Sequence, residues 1–125
     1  MILDTNALSA LADGSAALEA AAQGVETFAV PVIVLGEFRF GVLRSRHRGR
    51  YESWLARLLD ASRTLVVDAE TAIRYAAVRD ALREKGRPIP SNDTWIAALA
   101  LQHGLPVLSR DAHFDEVQGV RRVAW

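Results

Sequence analysis

Four acidic side chains stand where their flanking residues would bring them to one place: Asp4, Glu37, Asp93 and Asp111. Asp4 directly follows the apolar run Met1-Ile2-Leu3, which reads as a buried strand. Asp111 comes shortly after a second such run, Pro106-Val107-Leu108. In open α/β sheets, ligands gather beyond the carboxyl ends of the strands, so these two acids can face one crevice. The other two lie on helical patterns. Asp93 shares a face with Ile96 and Ala97, at offsets of three and four residues. Glu37 lies among Val34, Leu35, Phe38 and Phe40, where an unpaired carboxylate is expensive to bury.

Each acid also has a plain structural reading. Asp4 and Asp111 can cap helix starts through backbone N–H groups. Asp93 can do the same, in competition with Ser91 and Asn92, and Glu37 can pair with Arg39 or Arg44. Convergence of all four without a cation would be repulsive. Mg²⁺ prefers oxygen ligands and retains waters, so it is the natural counter-charge. Such a cluster suits phosphodiester hydrolysis, in which metal activates water and neutralises charge on phosphate and leaving oxygen. Thr5, Asn6, Asn92 and Ser109 flank the acids and can orient ligands, waters or phosphate. As lone residues, each is more often a cap or turn former.

The elements that must position these residues are legible from periodicity and punctuation. Strands are expected at Met1–Leu3, Thr27–Val30, Thr64–Val67, Pro106–Leu108 and Arg121–Trp125. Helices are expected at Ala7–Ala12, from a Ser15 cap to Ala22, at Val32–Arg46, Tyr51–Leu59, Thr71–Lys85 and Asp93–His103. The segment Pro88-Ile89-Pro90-Ser91-Asn92 reads as a turn and cap. Strands alternate with helices throughout, which predicts an α/β domain with a mostly parallel sheet covered on both faces.

Length and composition bound the rest. The 125 residues suit a single domain over 1–125, and the 50% hydrophobic content supports a real core. There is no cysteine, so disulfides and thiolate ligands are excluded and hard oxygen ligands remain. Asp4 breaks the apolar start too early for a secretory leader. No run approaches the roughly 20 apolar residues of a membrane span, so a soluble, cytoplasmic protein is expected. Net charge is zero and gives no global argument for nucleic acid. Locally, Arg39, Arg44, Arg46, His47, Arg48 and Arg50 cluster without an intervening acid. Such a run is commonly a solvated helix end; beside an active site it would contact phosphates. His47, His103 and His113 form no triad with a serine and are expected at the surface or in turns.

Four segments together resemble a known family. Met1-Ile2-Leu3-Asp4-Thr5-Asn6 looks like the opening of PIN-domain toxins of the VapC type. Leu35-Gly36-Glu37-Phe38 with Gly41, then Asn92-Asp93-Thr94-Trp95-Ile96-Ala97-Ala98, then Leu108-Ser109-Arg110-Asp111-Ala112-His113-Phe114 are similar to the second, third and fourth motifs. The resemblance spans essentially the whole chain, in order. It implies a PIN-like fold with four or five strands between helices. It also implies an Mg²⁺- or Mn²⁺-dependent endoribonuclease, the toxin of a type II toxin–antitoxin pair. By the same resemblance Asp4, Glu37, Asp93 and Asp111 form the metal site, with Asp4 and Asp93 foremost. Asp115 is a further candidate ligand, because some PIN proteins carry an acid near there. Ser109 stands in place of the commoner threonine and keeps the hydroxyl. The basic segment, with Arg39, Arg44, Arg46 and Arg48, then becomes a candidate path for RNA. The implied partners are a cognate antitoxin, a second toxin subunit and RNA.

Two alternatives differ in class. Phosphoryl transfer through an aspartyl phosphate at Asp4 would need an Asp two residues on, where Asn6 stands, or a lysine after a late strand, whereas Lys85 ends a helix. A catalytically inactive PIN-like module would bind RNA or a partner without cutting, but degenerate modules tend to lose these acids.

Overall fold

The computed structural model describes residues 1–125. Five short strands form one sheet: β1 (Ile2–Leu3), β2 (Ala29–Pro31), β3 (Arg63–Leu65), β4 (Val107–Leu108) and β5 (Arg122–Val123). All pair in parallel, in the order β3-β2-β1-β4-β5. The chain builds outward from β1 to β3, then returns to place β4 on the other side of β1. That reversal is a topological switch point, and it lies between the two strands that precede Asp4 and Asp111.

Six helices fill the connections: α1 (Thr5–Ala12), α2 (Ala16–Ala21), α3 (Val32–Val42), α4 (Arg48–Asp60), α5 (Ala69–Glu84) and α6 (Ser91–His103). Right-handed crossovers place α1 to α4 over one face and α5 with α6 over the other. The packing agrees, since α1 meets α2, α3 and α4 while α5 runs along α6. The core comprises 23 buried residues, including Ile2, Leu3, Val30, Leu55, Ile96, Leu99, Val107 and Leu108. Each buried aliphatic side chain of this size contributes roughly 1.5–3 kcal/mol. β1 and β4 are buried completely, so their apolar pairs fix where the following acids emerge.

Several boundaries differ from the sequence expectation. α1 begins at Thr5, not Ala7, because Asp4 is its N-cap and accepts the Ala7 N–H at 2.9 Å. α3 ends at Val42, not Arg46. There the Ser45 Oγ accepts the His47 N–H at 3.0 Å, offering the backbone a turn in place of helix. α4 then starts earlier than Tyr51, at Arg48, where an Arg48–Glu52 pair supports its first turn.

β3 stops at Leu65, and Val66 and Val67 are exposed. Asp68 ends extended pairing by closing a capping box with Thr71 at the start of α5. α6 begins at Ser91, so Ser91 and Asn92 lie in its first turn with Asp93. Gly104, at φ +63°, closes α6 in the left-handed conformation that glycine adopts without strain. A 3₁₀ turn over Ala112–Glu116, absent from the sequence expectation, is held by fully buried Phe114.

Candidate active site

Asp4 leaves the end of β1 only 3% exposed. Its Oδ1 caps α1, while its Oδ2 accepts from the Ser109 hydroxyl. The capping role and a site role are therefore compatible, because a carboxylate has two oxygens. Ser109 is fully buried, and its Oγ also accepts the Asp111 N–H at 2.8 Å. One hydroxyl thus ties the first acid to the backbone of the fourth. Asp111 in turn caps the 3₁₀ turn by accepting the His113 N–H at 2.9 Å. This chain of bonds exists because Leu3 pairs with Leu108 across β1 and β4.

Asp93 reaches the same place from the first turn of α6, with 19% of its side chain exposed. The His113 Nδ1 lies 3.0 Å from Asp93 Oδ2 and 2.9 Å from Asp111 Oδ1. Donor atoms of Asp93, Asp111 and His113 all fall within 4.8 Å of one another. Glu37 comes from α3, where its Oε1 accepts from the Asn92 Nδ2 at 3.1 Å. This Asn92 contact replaces the expected pairing with Arg39 or Arg44.

Asp4, Glu37, Asp93 and Asp111 line one crevice of about 520 Å³, together with Thr5, Asn6, Ser9, Ala10, Asp13 and Arg110. The fold brings together all four acids singled out from sequence. Thr5, Asn6, Asn92 and Ser109 also lie at or beside it. Asn6 Oδ1 accepts the Arg110 N–H at 3.2 Å, and the Thr5 hydroxyl is buried without a partner. A neighbouring hollow shares Thr5, Ser9, Asp13 and Glu37 and runs past Gly41 to Ser45 and Tyr51. It points toward the basic segment. Arg39, Arg44 and Arg46 are exposed but do not line the hollow, and Arg48 is engaged by Glu52. A larger cavity of about 670 Å³ lies beside α5, lined by Tyr75, Arg79, Leu82 and Ile89 among others. Its single acid, Asp80, gives it no comparable chemistry.

The electrostatics of the crevice are those of crowded, buried anions. Burial raises the Asp4 carboxyl to about 6, and the charges of Asp93 and Asp111 add to the effect. The Ser109 and Ala7 hydrogen bonds oppose it without cancelling it. Burial also raises Asp93, with Asp111 adding repulsion and the His113 contact opposing. His113 is raised by its hydrogen bond to Asp93 and by the charge of Asp111. The imidazole thus partly balances the acids, a role that a divalent cation would fill more fully. Several hard carboxylate oxygens around one crevice fit an ion such as Mg²⁺.

Asp115, the fifth acid considered from sequence, stands elsewhere. Its two oxygens meet Arg122 at 2.9 and 2.8 Å, and it does not line the crevice. The arginine depresses its pKa, in contrast to the raised Asp4 and Asp93. His113 lies in a turn and is partly exposed, as the sequence suggests, and it also touches two of the acids, a contact the sequence did not signal.

Residues 1–120 match the family model described as the PIN domain, and the chain belongs to that family. It is similar to ribonuclease VapC5 of Mycobacterium tuberculosis, with 35% identity covering 98% of this chain and 90% of the relative. Among solved structures it is similar to VapBC-5 of the same organism, a member of the VapBC family of toxin–antitoxin systems. That match has 32% identity, a TM-score of 0.78 and coverage of 99% and 97% of the two chains. Its fold also matches VapBC2 of Rickettsia felis bound to a DNA fragment of its promoter. There the TM-score is 0.88 at 22% identity, covering 99% and 97%. The expected PIN-like α/β fold is therefore present, with five strands, all parallel.

Proposed function

We propose that this chain is a metal-dependent endoribonuclease, the toxin component of a toxin–antitoxin pair, with Asp4, Glu37, Asp93 and Asp111 as its metal-holding carboxylates. The observation that carries this reading is the convergence of those four acids on one crevice at the switch point of the sheet. The names of the relatives, a VapC ribonuclease and a VapBC complex, supply RNA as substrate and an antitoxin as partner. A second copy of the toxin is the other expected partner.

Mg²⁺, with Mn²⁺ as a substitute, would polarise the phosphate and lower the pKa of a water there. The chain's own residues prepare that place. Asp4 and Asp93 are the principal holders by the resemblance to the family, and burial raises both carboxyls, so a bound cation would take the place of protons there. Ser109 fixes the orientation of Asp4 and the backbone of Asp111. Asn92 donates to one oxygen of Glu37 and so orients that carboxylate at the crevice. The hollow from Glu37 ends at Ser45, between the exposed Arg44 and Arg46, which would meet the phosphates of RNA laid along it.

The test is cleavage of structured RNA by purified protein with Mg²⁺, with a chelator, and with the Asp4→Asn and Asp93→Asn variants. Cleavage is expected only in the first condition. Undiminished cutting by both variants refutes the assignment.

A further inference from the structure

Arg110 is the one cationic side chain lining the acidic crevice, and its contacts are unusual. It is exposed, stands beside Asp111 and shares the crevice with Asp4, Glu37 and Asp93. Yet its guanidinium forms an ion pair with none of them; the nearby pairs belong to His113 and Arg122. It lies instead over the ring of Trp125, 3.8 Å from the centroid.

Sheet register delivers this contact. Leu108 pairs with Val123 across β4 and β5, so two residues further on Arg110 and Trp125 stand side by side. The Arg110 backbone is pinned as well, since its N–H donates to Asn6 Oδ1 at 3.2 Å. Trp125 is packed against the core, so the platform is fixed.

A guanidinium stacked on an indole keeps its five N–H donors free at its edge, in a planar fork suited to phosphate oxygens. Here that fork is held at the rim of a crevice whose acids would otherwise repel a polyanion. Stacking also keeps it from collapsing onto those acids.

We propose that Arg110, held by Trp125, is the phosphate-binding residue of the crevice, gripping a backbone phosphate of single-stranded RNA beside the carboxylates. Trp125 is its positioning residue. The proposal rests on the ribonuclease reading above and adds a substrate contact to it.

The test uses the full chain carrying Asp4→Asn, so that RNA is bound and not cut. A short fluorescein-labelled single-stranded RNA of mixed sequence is titrated by anisotropy across a KCl series. Each phosphate contact on a single strand contributes a slope of about −0.7 in log affinity against log salt. Arg110→Gln is expected to bind several-fold more weakly and to shallow the slope by about 0.7. Trp125→Leu keeps the charge, so its slope should hold while affinity falls about threefold, the scale of an exposed cation–π contact. Trp125→Phe should recover most of that loss.

An unchanged salt slope in Arg110→Gln overturns the proposal, whatever the affinity. If its melting temperature also falls, Arg110 is a brace for Trp125 and nothing more. Failure of the parent protein to bind this RNA while the wild type still cleaves structured RNA overturns the proposal alone, and failure of the wild type to cleave structured RNA sinks the ribonuclease reading as well. The two failures are therefore distinguishable.

Discussion

Asp4→Asn should make the metal-free protein more stable at neutral pH while abolishing its activity. Asp4 is 3% exposed, and its carboxyl is raised from 3.8 to about 6, chiefly by burial. A folded-state pKa above the unfolded value means the folded protein binds this proton more tightly. Its contribution to stability is therefore fully present below pH 3.8 and is lost as pH rises through about 6. A displacement of about two units, at roughly 1.4 kcal/mol each, comes to about 3 kcal/mol at neutral pH. Asparagine removes that charge and keeps an oxygen to cap Ala7. It weakens the bond with the Ser109 hydroxyl, at a cost of about 1 kcal/mol. The net gain is about 2 kcal/mol. At roughly 3 °C per kcal/mol for a chain of this size, the melting temperature should rise by about 6 °C in chelator.

The advantage should vanish or reverse in acid, where the wild-type carboxyl is already neutral. Saturating Mg²⁺ should narrow the gap by stabilising the wild type, because ligand that binds only the folded state adds RT ln(1 + [L]/Kd). Scanning calorimetry of both proteins at acid and neutral pH, with and without Mg²⁺, provides the measurement. Lower stability of Asp4→Asn at neutral pH in chelator refutes the burial argument. Equal stabilisation of both proteins by Mg²⁺ refutes the placement of the metal on Asp4.

Ser109→Ala should reduce Mg²⁺ affinity or RNA cleavage by about 10–100-fold, because the hydroxyl positions both Asp4 and the Asp111 backbone; Ser109→Thr should retain activity, and equal loss in both would remove the hydroxyl from the account. Asp115→Asn should stay within a few-fold of wild-type cleavage, since Asp115 is occupied by Arg122 outside the crevice; a loss like that of Asp93→Asn would return it to the metal. The raised pKa values of Asp4, Asp93 and His113 mean that metal must displace protons, so Mg²⁺ affinity measured by calorimetry should rise from acid to neutral pH. A flat profile over that range would show that Asp4 and Asp93 do not bind the ion. Replacing Arg44 and Arg46 together by Ala should weaken RNA binding and shallow its salt dependence; binding that keeps both affinity and slope would place the RNA elsewhere.

Local patterning carried much of this protein. Apolar runs before Asp4 and Asp111 and helical faces around Glu37 and Asp93 mark the elements and the acids they carry. The alternation of strand and helix carried the fold class for the same reason, since burial periodicity is a property of neighbouring residues. What neighbours in sequence cannot encode is adjacency across the sheet. The pairing of Leu3 with Leu108 puts Ser109 against Asp4, and the pairing of Leu108 with Val123 puts Trp125 under Arg110. Tertiary contact likewise gave Asp115 to Arg122, which removed it from the crevice, and brought His113 to Asp93. Those partners are separated by long stretches of chain or depend on side-chain direction. Only packing of the strands around buried β1 and β4, and of Phe114 beneath the last turn, decides them.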